Sequence, residues 1–147
     1  MKHLRILSVF AVLLLLTTTT FAQKKKKEKP PLEKRTFAVE VFEVKEGKKP
    51  KPNPDKVSFN YDKVSSKFIK EKTHFPAVSY VIMSDSTVTN EDGEEERTVE
   101  FMAEAVNDKA EEISWKGSVS GKAINAEVVM SKNGVVKKKY TLKGEEK

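Results

Sequence analysis

The chain has 147 residues, no cysteine, 37% hydrophobic and 34% charged residues, and 28 lysines and arginines against 22 aspartates and glutamates, a formal charge of +6. That length allows one domain, and the lack of cysteine excludes a disulfide framework, a thiol nucleophile and a thiolate metal site. The hydrophobic share suits a small β-sandwich or barrel and is too low for a polytopic membrane protein.

Residues 1–22 read as a secretory signal peptide. Lys2 and Arg5 supply the positive start, Ile6 to Leu16 the apolar run, and Thr17 to Ala22 the stretch rich in small residues before cleavage. Ser8 and the threonine run leave it short of the roughly 20 apolar residues of a membrane span. Cleavage is expected near Ala22, which makes the protein an exported one, periplasmic or secreted. No cysteine follows the apolar run, which excludes a lipid-anchored lipoprotein.

Residues 23–35, QKKKKEKPPLEKR, carry seven basic and two acidic side chains without apolar periodicity and read as a Lys-rich flexible linker. Leader and linker together hold the whole positive excess, so residues 36–147 have a net charge near −1. Nucleic-acid binding by a folded basic face therefore loses its support. The Lys-rich tail itself offers contact with an envelope protein or an anionic surface.

From Thr36 on, period-two alternation recurs between turn signals and no 3.6-residue period stands out. Eight strands are expected, near 36–44, 56–61, 63–69, 77–84, 97–105, 111–120, 123–131 and 135–142, with no helix. The link GKKPKPNPD, with Pro50, Pro52 and Pro54, reads as an extended arm or loop and not a strand. The stretch SDSTVTNEDGEEER is acidic and long and is expected as a surface loop.

Register can be tested in the C-terminal half, because directly opposed residues share a face and must agree in polarity. A two-residue turn at Gly121-Lys122, glycine first as in a type II′ turn, sets Val119 against Ile124, Gly117 against Ala126, Trp115 against Val128 and Ile113 against Met130. A two-residue type I′ turn at Asn133-Gly134 would set Val128 against Lys139 and Met130 against Lys137. A three-residue loop, Lys132 to Gly134, with a bulge instead pairs Met130 with Val136, Ala126 with Tyr140 and Ile124 with Leu142, and is preferred on polarity. A loop centred near Lys109 lays Phe101 over Gly117 and Trp115 beside Ala103. The expected fold is all-β: an antiparallel up-and-down meander closing as a single small barrel over residues 36–147, or else packing as a sandwich.

Trp115, Gly117, Val119, Gly121 and Ile124, spaced W-x-G-x-V-x-G-x-x-I, precede Asn133-Gly134, Tyr140, Leu142 and Gly144. With KVSFNYDKVSSKFIKEKTHFPAVSY upstream, this pattern resembles small exported bacterial proteins with a lipocalin-like or calycin-like β-barrel, most of them without an assigned function. The resemblance covers about residues 36–144 and implies a barrel and apolar-ligand binding. The chain departs from true lipocalins, whose glycine and tryptophan signature lies on the first strand, whereas its only tryptophan lies on the sixth. No lipocalin functional residue carries over, and a filled barrel without ligand is equally compatible.

Candidate chemistry is sparse. His74 is the one histidine after the leader and has no cysteine or second histidine to join it as base or metal ligand. Glu94, Glu95 and Glu96, and Glu111 with Glu112, border loops and define no glycosidase-type pair. Asp85, Asn90, Asp92 and Glu94 have calcium-binding chemistry without EF-hand spacing. No phosphate loop or nucleophile elbow is present. Lys137, Lys138 and Lys139 read as edge protection on the last strand.

The aromatic set Phe59, Tyr61, Tyr80, Phe101, Trp115 and Tyr140 is left as the candidate lining of an internal pocket, or as plain core. Each buried tyrosine hydroxyl needs a partner, so converging tyrosines would mark a site. The expected function is that of a monomeric, non-enzymatic exported barrel without metal or cofactor, binding a small apolar or amphipathic ligand. The alternative is a structural or interaction module of the cell envelope with a filled core.

Overall fold

The computed structural model describes residues 29–147; the expected signal peptide and residues 23–28 of the lysine-rich segment lie outside the described residues. Eight strands follow the chain: β1 (Thr36–Glu43), β2 (Pro52–Asn60), β3 (Lys63–Ser66), β4 (Val78–Thr89), β5 (Glu95–Val106), β6 (Glu111–Ser120), β7 (Ala123–Lys132) and β8 (Val135–Glu146). One helix, α1 (Lys67–Thr73), separates β3 from β4. Each strand pairs antiparallel with the next, and β1 pairs with β8 to close the ring. The seam sets Val41 opposite Leu142 and Val39 opposite Gly144.

The alternation in sequence becomes an inner and an outer face. Phe37, Val57, Phe59, Val128, Tyr140 and Leu142 are fully enclosed, and Trp115 and Phe101 almost so. Enclosing each such side chain is worth about 1.5–3 kcal/mol, and this core stands in for the disulfides that the chain lacks. Large residues face small ones where the wall curves: Phe101 lies opposite Gly117 and Trp115 opposite Ala103, as their polarity and size require. The β6–β7 hairpin has the expected register throughout, with Gly121 at φ 57 in its turn.

The next hairpin differs from the sequence reading. Asn133 and Gly134 have φ of 52° and 75°, the signature of a type I′ turn. Lys132 pairs with Val135 and Ser131 with Val136, and a bulge after Met130 then shifts β8 so that Val128 meets Tyr140 and Ala126 meets Leu142. The bulge exists, but inside the strand and not in the loop. Because the two registers differ by two residues below it, Tyr140 and Leu142 face inward in both, so polarity could not separate them. Val136, expected beside Met130 inside, is exposed. Lys138 instead lies opposite Met130, and its ammonium donates to the Lys72 carbonyl at the end of α1.

Two further corrections concern β2 and β3. Pro52 and Pro54 lie within β2, opposite Phe42 and Glu40. β3 pairs only with Val57 to Asn60, so the proline-bearing end of β2 is an edge where missing donors are tolerated. The expected strand 63–69 stops at Ser66, and α1 follows. Ser66 is its N-cap, accepting from Ile69 N at 3.1 Å, while the Asp55 carboxylate accepts from Phe68 N at 3.1 Å and from the Ser66 hydroxyl. His74 ends the helix in the left-handed region, φ 61, with its N–H on the Lys70 carbonyl. The helix fills the wall above the short β3.

The chain also enters the fold earlier than the linker reading allows. Residues 30–35 form turns across the end of the barrel away from α1. Leu32 is fully enclosed, Lys34 N donates to the Phe59 carbonyl at 2.8 Å, and Phe59 N donates to the Arg35 carbonyl at 2.9 Å. The Arg35 guanidinium grips both Glu146 carboxylate oxygens, at 2.9 and 2.7 Å, and the Gly121 carbonyl, which holds the Glu146 carboxyl below its ordinary pKa. One leucine among charged neighbours gives no periodicity to read.

The acidic stretch expected as a long loop is mostly strand. β4 and β5 pair from Tyr80–Ala103 out to Thr89–Glu95, with a bulge at Met83. β6 supports β5 only as far as Thr98, and β3 supports β4 only at Val78 and Ser79. The outer part of this hairpin is therefore a two-stranded ribbon projecting beyond the ring.

Candidate functional site

The six aromatic candidates separate into three environments. Phe59, Tyr80 and Phe101 meet edge to face near the Leu32 end, with ring centroids 5.2 Å apart for Phe59–Tyr80 and 5.0 Å for Phe59–Phe101, and Phe37 joins Phe59 at 6.0 Å. Edge-to-face pairs at these distances pack as core. The Tyr80 hydroxyl donates to the Tyr61 carbonyl at 3.2 Å, and burial, with the charges of Glu33 and Asp62, raises its pKa. Phe59, Tyr80 and Phe101 are buried here, and the one hydroxyl among them is partnered.

Tyr61 does not belong to the interior. It occupies the β2–β3 turn at φ 54 and is 79% exposed. Its alternation with Phe59 suggested an inward side chain, but the turn reverses the chain at Tyr61. The backbone carbonyl, not the ring, serves the core.

Trp115 and Tyr140 define the other half. Trp115 lies opposite Val128, and Val128 opposite Tyr140, so the two aromatics flank one valine on a single cross-strand row. Two strand spacings put their backbones about 10 Å apart, within joint reach of two such side chains pointing inward. Trp115 Nε1 and Tyr140 Oη are both buried, and neither has a hydrogen-bond partner among the described residues. An unsatisfied buried donor costs about 1–3 kcal/mol, so two on one row are a specific feature. Burial, with a contribution from Glu43, pushes the Tyr140 hydroxyl up to about 12, so it is a neutral O–H donor at any physiological pH.

Helix α1 packs on the Tyr140 end of this row. Phe68 packs edge to face on Tyr140 at 5.8 Å, Ile69 and Thr73 are buried beneath the helix, and Phe75 follows it into the core. Its attachment is local: the Ser66 and Asp55 caps at one end and Lys138 on the Lys72 carbonyl at the other. Sequence reasoning missed Phe68 and Ile69 as parts of the site because it read them as strand. The usable signal was Ser66 followed by Phe68 and Ile69, with Lys67 and Glu71 at helical spacing.

The remaining candidates do not converge. His74 is exposed at the end of α1. Asn90 Oδ1 accepts from the Asp92 and Glu94 amides, which folds the tip of the ribbon as a tight turn. Asp85 is paired with Arg97. Among the described residues, no three histidine, aspartate or glutamate side chains gather as a cation site. A shallow depression of about 1150 Å³ on the outer face of β7, β8, β1 and β2 is lined by charges of both signs, including Glu40, Lys56, Lys143 and Glu145, and is open to solvent.

The geometry defines an antiparallel eight-stranded barrel whose enclosed aromatic core carries two donors, Trp115 Nε1 and Tyr140 Oη, without partners among the described residues. No protein-family model, curated protein or solved structure matches the chain.

Proposed function

We propose that the protein is an exported, non-enzymatic binding barrel that holds a small, largely apolar molecule between Trp115, Tyr140 and α1. The observation that carries this reading is the pair of buried donors, Trp115 Nε1 and Tyr140 Oη, left without acceptors on one row of the wall. A buried N–H and a buried O–H on one row, in apolar surroundings, suit acceptor oxygens, a carbonyl or carboxylate, on a molecule whose remainder packs on Phe68. Entry requires α1 to swing outward on its caps; among the described residues α1 is the helical element of the wall.

Native mass spectrometry of protein from its own producing cell tests this. The expected result is an adduct of a few hundred daltons that is lost from Trp115→Phe/Tyr140→Phe and retained in Tyr80→Phe. Protein that is free of adduct, with an ordered water on each donor in a crystal structure, would refute it. The second reading, an interaction module of the envelope with a filled core, is favoured by the ribbon of β4 and β5, which adds nothing to the interior.

A further inference from the structure

Alternate turns of an up-and-down meander fall at opposite ends of the barrel. The β1–β2 loop, α1 with the residues after it, the β5–β6 loop and the β7–β8 turn therefore share one end, and the turns at Tyr61, Asn90 and Gly121 share the other. The near-neutral charge of residues 36–147 is divided unevenly between them. Residues 44–51, 67–77, 107–110 and 132–138 carry eleven lysines and no arginine against Glu46, Glu71 and Asp108. Residues 85–96, in the ribbon at the opposite end, carry six carboxylates and neither lysine nor arginine. The barrel is thus an axial dipole, which an anionic surface attracts with its α1 end foremost.

The lysine end is tied together as one surface. Val44 N donates to the Lys139 carbonyl at 2.9 Å, which holds the β1–β2 loop on β8, and the Lys138 ammonium holds β8 on the Lys72 carbonyl of α1. The acidic residues at the strand ends are engaged, Glu43 by Lys45 and Glu111 by the Asn107 amide at 2.8 Å. That amide first, then Lys132, Lys109 and His74, hold the Glu111 carboxyl below its ordinary pKa, so charges from three segments meet there. Apolar side chains stand among these lysines: Val44, Val106, Val135 and Val136 are 45%, 66%, 55% and 59% exposed.

We propose that this end of the barrel docks on an anionic lipid surface, with the four valines entering the headgroup layer and the lysines lying over the lipid phosphates. Lysine stems cover apolar surface while their ammonium groups reach headgroups, and each lysine near such a surface adds to the attraction. The composition selects lipid over other anions. All the cations are lysine, which is depleted at protein–protein interfaces where arginine is enriched. Valine offers a nucleic acid neither a stacking face nor a hydrogen bond. The valines also come from separate hairpin ends and not from one groove, which a fluid surface accommodates. This docking is independent of any ligand inside the barrel, and it turns α1 toward the lipid.

The chain has no cysteine, so an environment-sensitive thiol dye reports from one chosen site in the full-length protein as purified. A dye at Val135→Cys should shift to the blue with vesicles of phosphatidylcholine and phosphatidylglycerol and not with phosphatidylcholine alone. A dye at Lys122→Cys, in the turn at the other end, should not shift with either. In the labelled Val135→Cys protein, adding Lys48→Gln/Lys49→Gln/Lys51→Gln should weaken vesicle binding about hundredfold, at about fivefold per lysine, and Val44→Ser/Val106→Ser should weaken it about tenfold. All five side chains are exposed, and emission from Trp115 checks that each variant is folded. No shift at Val135→Cys overturns the proposal, as does a shift at Lys122→Cys, which would place the contact at the other end. So does a response to duplex DNA equal to that to vesicles, or a shift that grows with protein concentration in the absence of vesicles, the sign of a second copy's acidic ribbon.

Discussion

Replacing Gly144 by alanine should be the most damaging single-methyl change in the barrel. Gly144 sits on β8 at the closing seam, opposite Val39 of β1 and Ile124 of β7. A Cβ built there would lie 1.9 Å from the Ala38 carbonyl oxygen and 2.7 Å from the Val39 Cα. Both atoms are backbone, so no rotamer change relieves the contact and the seam itself must open. Overpacking that side chains can absorb costs about 1–3 kcal/mol, and this substitution should reach or pass about 3 kcal/mol, a large share of the roughly 5–15 kcal/mol of a whole domain. At roughly 4 °C per kcal/mol for a domain of this size, the midpoint should fall by about 12 °C. Gly117→Ala meets the Phe101 ring at 2.7 Å and the Ala126 Cβ at 2.9 Å; a ring can tilt, so about 1–2 kcal/mol is expected. Gly134→Ala meets nothing within 4 Å and carries only the strain of φ 75, about 1 kcal/mol. Urea unfolding followed by fluorescence of the single tryptophan, Trp115, gives the order Gly144 > Gly117 > Gly134. A Gly144→Ala protein within about 0.5 kcal/mol of wild type, or more stable than Gly117→Ala, would refute the account of the seam.

Leu32→Ala should cost about 2–4 kcal/mol in the same assay, because Leu32 is fully enclosed; a neutral result would return residues 30–35 to the status of linker. Asp55→Ala removes the acceptor for Phe68 N and the Ser66 hydroxyl, and should speed exchange of the α1 amides by about tenfold while amides of β6 and β7 stay unchanged, a capping loss of about 1 kcal/mol or more. In alkali the sign follows from Tyr140, whose hydroxyl is pushed up to about 12 by burial, above the ordinary tyrosine value of about 10. The folded state keeps a proton that the unfolded state has released, so stability falls as pH rises from about 10 to about 12. Tyr140→Phe should flatten that fall in pH-dependent unfolding, and an unchanged slope would contradict the burial of the hydroxyl.

What could be read from sequence depended on how many residues repeated the same message. The β6–β7 register was legible because four opposed pairs from Val119–Ile124 to Ile113–Met130 agree in polarity and one glycine turn fixes the phase. The β7–β8 register was not, because a shift of two residues preserves every face, and only the hydrogen bonding around Met130 distinguishes the alternatives. Helix α1 has seven residues, too few for a 3.6-residue period to show, and its signal lay in the Ser66 cap. Five of the six aromatic candidates are buried, but alternation says only that a side chain points inward. It does not say that Tyr80 finds the Tyr61 carbonyl while Tyr140 and Trp115 find nothing. Likewise the acidic residues around Asn90 announced a surface segment, and only the shortness of β3 made it a ribbon with a bare edge.

The closing of β1 on β8 brings the two ends of the barrel chain side by side, with Lys147 N donating to the Thr36 carbonyl and Arg35 held by Glu146. Where the first and last strands are neighbours, the order in which the strands are written is a convention of synthesis and not of architecture. A chain cut at the exposed Asn133-Gly134 turn, with Lys147 joined to Pro30 through a few glycines, would present the same ring with β8 first and β7 last. Such a circular permutant should be tolerated.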